Sequence, residues 1–224
     1  MQRIVFDCET TALVDNPDGY GKTVHALHMI AMADADSTDS PVLGFHDDPA
    51  LPRDGTIADA IEILNNAEVI IAHNALGFDV PHLARLAGLK PKKVLDTLVM
   101  ARLAFSDRRE QDYELWPAGS PHRKNIGSHS LRAWGLRLDG GDEKLDYVGD
   151  FSVLDAEMLK YGLQDVVVGR QLFQYLEPLM PDSEAMGYST CDLEHKFALM
   201  LLDMEERGLG FDEKAAEEKV GDEA

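Results

Sequence analysis

Cysteine is scarce in this chain: Cys8 and Cys191 are the only two among 224 residues. Two cysteines build no disulfide framework, and a reducing compartment fits them. Basic residues are scarce as well, 21 against 41 acidic ones, for a formal net charge of −20. A deficit of that size argues against a broad, non-specific coat on nucleic acid. No apolar run approaches the length of a membrane span. The opening residues, MQRIVFD, enter a strand directly and leave no room for a signal peptide. These absences predict a cytoplasmic protein without a membrane partner.

What is present is an ordinary apolar fraction, 45%, and enough chain for one sizeable core or a core with an appendage. The charge is unevenly spread. Residues 81–137 carry 11 basic and 5 acidic residues, while every other stretch is acidic. That central quarter reads either as a solvated helix face or as a local basic surface for a phosphate backbone.

Apolar patterning predicts strands at 3–8, 24–34, 41–46, 68–74 and 93–97. Helical spacing predicts helices at 57–67, 78–88 and 128–136, the last capped by Ser128. A further helix follows strand 93–97 through LVMARLAF. A long helix is expected from Ser152 to about Leu176, and another over 191–207. Residues 106–128 read as a polar, irregular insertion. Turns are expected at 16–19, and acidic or loop chemistry at 139–150 and 181–190. Strands interleaved with helices in this order give an α/β fold with one central sheet.

Two motifs lead nowhere. GYGKT at 19–23 resembles the end of a phosphate loop, but the required earlier glycine is Asn16. DADSTDS at 34–40 resembles a calcium loop, but its sixth position is Asp39 and its twelfth is Phe45. It reads as a hairpin turn. His25 and His28 sit on an apolar strand and read as core residues.

The chemistry lies in the acids. In RIVFDCETTAL, Asp7 and Glu9 are two apart on a strand and therefore share a face, with Cys8 pointing the other way into the core. Two adjacent like charges are costly unless something positive lies between them. Asp79 starts a helix straight after a buried strand, in HNALGFD. Asp165 lies among valines inside the long helix, in YGLQDVVVGRQL, with Tyr161 four residues earlier on the same face. Four carboxylates from three segments, gathered at the strand ends, would repel strongly. A pair of hard divalent cations, magnesium or manganese, removes that repulsion. Paired cations of this kind cleave phosphodiesters.

FDCETTAL, HNALGFD and YGLQD resemble the three motifs of the DEDD superfamily of 3′→5′ exonucleases. Tyrosine four before the last aspartate resembles the tyrosine subclass; the histidine subclass would need histidine where Lys160 stands. More narrowly, HNALGFDVPHLARL, LDTLVMARL, GSHSLRAWGLRL and LEHKFALMLLDMEERGLGFDEKA resemble the proofreading domain of family A DNA polymerases of T7-like phages.

The resemblance implies a ribonuclease H-like fold, with a central mixed five-stranded sheet flanked by helices. It implies an exonuclease domain over 1–180. Residues 181–224 would form a C-terminal helical segment like the entry to a polymerase domain. The cofactors would be two divalent cations, Mg2+ or Mn2+. Asp7, Glu9 and Asp165 would hold one at the attacking water; Asp7 would bridge to the second, with Asp79 in support. Tyr161 and Glu9 would orient the nucleophile. Thr10 and Leu13 would contact and wedge the terminal nucleotide, while Asn74 and Phe78 would shape the floor. The substrate would be a single-stranded or frayed DNA 3′ terminus, released as nucleoside monophosphates in the cytoplasm of the host cell. A polymerase domain or separate polymerase subunit would meet the C-terminal segment, through Phe197, Leu201, Leu202 and Met204 if these stay exposed. Two other readings remain open at this point: a non-catalytic assembly module for a separate polymerase, and an RNA-trimming nuclease of the same superfamily.

Overall fold

The structure is a computed structural model and describes residues 2–15, 22–138, 147, 149–180 and 189–208. The turn expected at 16–19, most of 139–150, most of the loop before residue 190 and the tail after Gly208 lie outside the described residues.

The sheet grows from one strand. In β1 (Arg3–Thr10), the chain alternates Val5, Asp7 and Glu9 on one face with Ile4, Phe6 and Cys8 on the other. A short two-stranded ribbon follows, β2 (Val14–Asp15) with β3 (Lys22–Thr23). β4 (Leu27–Asp34) pairs antiparallel with β1 and places Ala31 opposite Asp7 and Met29 opposite Glu9. A register shift between Glu9 and Thr10 breaks the ladder where the two acids leave the sheet. Such bulges re-aim side chains at functional edges. β5 (Leu43–Phe45) closes the hairpin expected around residues 34–40.

The chain then crosses over twice. α1 (Ile57–Asn66) begins at a capping box in which Thr56 and Asp59 satisfy each other's backbone amides. β6 (Val69–Ala72) lies parallel to β1. α2 (Asp79–Ala87) ends at Gly88, whose φ of +76° suits glycine at a helix terminus. β7 (Val94–Asp96) pairs parallel with β6 at the sheet edge. The order is β5-β4-β1-β6-β7. This is the mixed five-stranded sheet of an α/β, ribonuclease H-like fold.

Helices then cover the second face: α3 (Thr97–Ala104), α4 (Arg108–Leu115), α5 (Leu131–Gly135), α6 (Ala156–Leu176) and α7 (Thr190–Arg207). One core layer joins Ile4, Phe6, Cys8, Leu64 and Leu83, between the sheet and α1 with α2. The other joins Val5, Met29, Met100, Trp134, Val166 and Phe173, under α3, α5 and α6. Asp7 and Glu9 emerge on the α6 side. Cys8 is buried on the α2 side, as its position in the strand requires.

Four expectations need correction. Residues 106–128 are not irregular: they contain α4 and a 3-10 turn over Pro121–Asn125. What organises them is Asp112, fully buried and bound by Arg137 (2.6 Å) and Arg108 (3.0 Å). Both guanidiniums also lie over the Trp134 ring. Two of the central positive charges, Arg108 and Arg137, are therefore turned inward, which a charge count cannot reveal, while Arg85, Lys90, Lys92, Lys93, Arg102, Arg109, Arg123 and Lys124 stay exposed. α5 is capped by Ser130, whose Oγ accepts the Ala133 amide, while Ser128 Oγ accepts the Ser130 amide. α6 starts at Asp155 rather than Ser152, because the Asp155 carboxylate accepts the Met158 amide at 2.7 Å. His25 is exposed, and His28 is half-buried and donates to the Phe151 carbonyl (2.9 Å), so neither is a core residue. The strand starts only at Leu27, leaving His25 in the preceding turn.

Candidate active site

Asp7 and Glu9 reach the end of β1 on one face because of strand alternation. Across from them, α6 presents Asp165, buried to 3% exposure. Gly162 makes this approach close: a Cβ there would meet Glu9 Cγ and the Met29 sulfur at 3.2 Å. One carboxylate oxygen from each of Asp7, Glu9 and Asp165 lies within 4.8 Å of the others. Asp7 is half-buried; Glu9 and Asp165 are buried.

Asp79 approaches from the opposite face of β1. Its Oδ1 accepts the Cys8 amide at 3.2 Å, so it lies under the backbone joining Asp7 to Glu9. Burial pushes the Asp79 carboxyl up to about 7, against the hydrogen bonds from Cys8, and the charge of Asp96 adds to the rise. The Cys8 thiol is pushed well above its ordinary value by burial and by the charges of Asp79, Asp7 and Glu9. Three of the four acids thus converge directly, and the fourth is separated from them by one stretch of backbone.

The remaining residues surround this group unevenly. Tyr161 is half-buried on α6, with its ring 6.0 Å from that of Tyr147. Thr10 is buried and donates to the Thr11 carbonyl (3.1 Å), while Leu13 is 48% exposed. Asn74 is exposed and has φ +65°, the only non-glycine in the left-handed region among the described residues. Phe78 packs edge-on against His82 at the start of α2. An open cavity of about 550 Å³ joins Asp7 to His73, Asn74, Arg102, His129 and Ser130. Burial, together with the charges of Arg137, Arg102 and Arg108, holds the His129 imidazole below its ordinary value.

The donor set suits hard divalent cations: carboxylate oxygens only, carried close together by rigid elements.

No family model matches the chain. The DNA-directed DNA polymerases of Enterobacteria phage T3 and Escherichia phage T7 are each 33% identical to it over 205 residues, covering 73% of this chain. The chain belongs with these phage DNA polymerases. It spans 29% of the length of those curated relatives. Among solved structures, Brucella melitensis NrnC with bound Mg2+ superimposes with TM-score 0.55 at 20% identity, covering 93% of this chain and 87% of that one. An apo nuclease gives TM-score 0.51 at 18% identity, covering 88% and 80%. Those two likenesses speak for the fold alone.

Around the acidic group, sequence reasoning missed Asp96, His73, Arg102 and His129. Asp96 is buried to 2%, and its carboxylate accepts the amides of Asn74 (2.9 Å), Leu76 (3.0 Å) and Leu98 (2.9 Å). An acid closing a buried strand was the available signal. Arg102 and His129 belong to the basic quarter, but their place beside Asp7 depends on how α3 and α5 fold back over the sheet.

Proposed function

We propose that this chain is a metal-dependent 3′→5′ exonuclease of the tyrosine subclass, acting on single-stranded or frayed DNA ends and releasing nucleoside monophosphates. The observation that carries the reading is the meeting of Asp7, Glu9 and Asp165 within 4.8 Å. The 33% identity to phage DNA polymerases favours DNA over RNA as substrate.

The residues fit two divalent cations, Mg2+ or Mn2+, which when bound supply charge stabilisation to the attacking and leaving oxygens of the phosphodiester. Asp7, Glu9 and Asp165 would hold the cations, and Asp79, bonded to the Cys8 amide, would support that group. Tyr161 shares the inner face of α6 with Asp165, as their four-residue spacing requires. There its hydroxyl, with Glu9, orients the attacking water. Leu13, apolar and exposed, wedges against the terminal base; Thr10 contacts its sugar; Asn74 and Phe78 form the floor. Arg102 adds positive charge to the cavity beside Asp7, where a strand's phosphates need it. A single-stranded or frayed end can splay its terminal base against apolar side chains such as Leu13, which a paired end cannot, so frayed mismatches enter preferentially.

Residues 1–180 form the exonuclease unit of this reading. Residues 181–224 are the segment that meets a polymerase domain. α7 supports that role: it packs inward through Cys191 and His195 and leaves Leu193, Phe197, Met200, Leu201 and Met204 each about half exposed. Leu202 turns partly inward, unlike the other apolar residues named for the partner face. No described helix is long and apolar enough to cross a membrane.

The test is hydrolysis of single-stranded DNA with Mg2+ by the parent chain and by Asp7→Ala and Asp165→Ala. Activity in the parent and none in either variant, with the fold unchanged by circular dichroism, supports the assignment. Undiminished cleavage by both variants removes it.

A further inference from the structure

β7 is the edge strand of the sheet, so the outward amide of Asp96 has no strand partner. α7 supplies one: the Asp96 amide donates to His195 Nε2 at 2.7 Å. The other ring nitrogen, Nδ1, donates to the Cys191 carbonyl at 2.7 Å. Both nitrogens are thus committed, and the partners set the tautomer. His195 is buried to 7% and Asp96 to 2%. A second latch holds the same two elements together, Lys93 with Asp192 at 3.2 Å.

The other side of Asp96 faces the active site. Its carboxylate takes the amides of Asn74 and Leu76 and so clamps the turn between β6 and α2. His73 Nδ1 and Thr97 Oγ1 tie the start of that turn to α3 at 3.0 Å. Asn74 sits there at φ +65°, a conformation that an L-residue keeps only when its surroundings hold it. The turn puts Asn74 in the cavity with Asp7 and ends at Asp79, which grips the Cys8 amide. An unbroken series of short hydrogen bonds therefore runs from α7 through His195 and Asp96 to the turn behind the acidic group.

We propose that His195 and Asp96 are positioning residues for the metal-binding group, so that α7 is a working part of the active site as well as the segment next to a partner. The proposal rests on the exonuclease reading. Neither residue touches substrate or cation; they act by fixing the turn that carries Asn74 and Asp79. A plain structural anchor would cost stability and leave the affinity for cations alone. A positioning residue would change that affinity.

Mn2+ binding to the full chain, measured by calorimetry without substrate, separates the two, with the melting temperature recorded alongside. His195→Phe keeps the ring and removes the acceptor. It is expected to weaken Mn2+ by about tenfold, the usual scale for losing support behind a ligand shell. Asp96→Asn is expected to do the same. His195→Gln restores an acceptor and is expected to return affinity to within roughly threefold of the parent. Should His195→Phe fail to fold, Asp96→Asn and His195→Gln decide. Unchanged Mn2+ affinity with a lowered melting temperature, or a Gln variant no better than Phe, overturns the proposal. A parent chain that takes up no Mn2+ overturns both this proposal and the cation-dependent reading beneath it.

Discussion

The amide of Cys8 donates to the carboxylate of Asp79 at 3.2 Å, which fastens α2 to the strand segment between Asp7 and Glu9. One bond thus joins both faces of the sheet at the acidic group. It also accounts for the unequal standing of the four acids: three share a space, and the fourth holds their backbone from behind.

Asp79 sets a pH dependence. Its carboxyl is raised from 3.8 to about 7, chiefly by burial. Between those values the folded chain holds a proton that the unfolded chain has released. Stability from this group is therefore full below about pH 4 and is lost as pH rises toward and through 7. In chelator, the melting temperature of the parent is expected to fall between about pH 4 and 7, and that of Asp79→Asn to fall less. Parallel curves by calorimetry would remove this account.

Removing one acid of the clustered three should separate stability from activity. Asp165→Asn relieves repulsion, so the metal-free chain is expected to gain roughly 0.5–2 kcal/mol, the common yield of relaxing a functional site. Hydrolysis is expected to vanish. Urea titration in chelator, paired with a nuclease assay, checks both halves. A loss of stability would mean that Asp165 is held by its surroundings rather than strained by its neighbours.

Gly162 is the spacer between α6 and β1. Gly162→Ala gains up to ~1 kcal/mol of helix propensity. Its new Cβ, however, meets Glu9 Cγ and Met29 at 3.2 Å. Glu9 must give by a few tenths of an ångström, and small misplacements at a reacting centre are costly. Melting is expected to change little while kcat drops about tenfold. Unaltered turnover would show that Glu9 moves without consequence.

Asp112 anchors the segment whose order the sequence conceals. Burial alone would raise its carboxyl, but the hydrogen bonds from Arg137 and Gly127 and the charges of Arg137 and Arg108 outweigh it and hold the group below its ordinary value. Its contribution is present above the ordinary carboxylate value and is lost as pH falls through the depressed one. Asp112→Ala leaves two enclosed guanidiniums unpaired and is expected to cost about 3–5 kcal/mol in urea unfolding. A cost under about 1 kcal/mol would place the pair in the class of surface ion pairs.

The contrast between Asp112 and Asp165 shows what a sequence discloses. Asp165 was legible because an acid amid valines on a periodic helix has few explanations, and Tyr161 lies one turn away. Strand alternation alone placed Asp7 and Glu9 on one face and Cys8 on the other. Five strands were legible because short apolar, often β-branched runs bounded by turns are a local pattern; β1, β4 and β6 are buried on both faces. Asp112 sits in a stretch of charged residues with no apolar period, and its partners Arg108 and Arg137 are brought in by tertiary folding. Asp96 and His195 are 99 residues apart, and nothing local announces their bond. The Ser128 and Ser152 caps failed for a smaller reason: another cap residue, Ser130 or Asp155, stood two or three places on and was the one used.

The most direct test of the central claim is a time course on a 5′-labelled single-stranded DNA with the parent chain, run in Mg2+ and in chelator. The account predicts a ladder shortening one nucleotide at a time from the 3′ end in Mg2+, and intact strand in chelator. Internal cuts, a ladder that persists in chelator, or no cleavage with either Mg2+ or Mn2+ would contradict it.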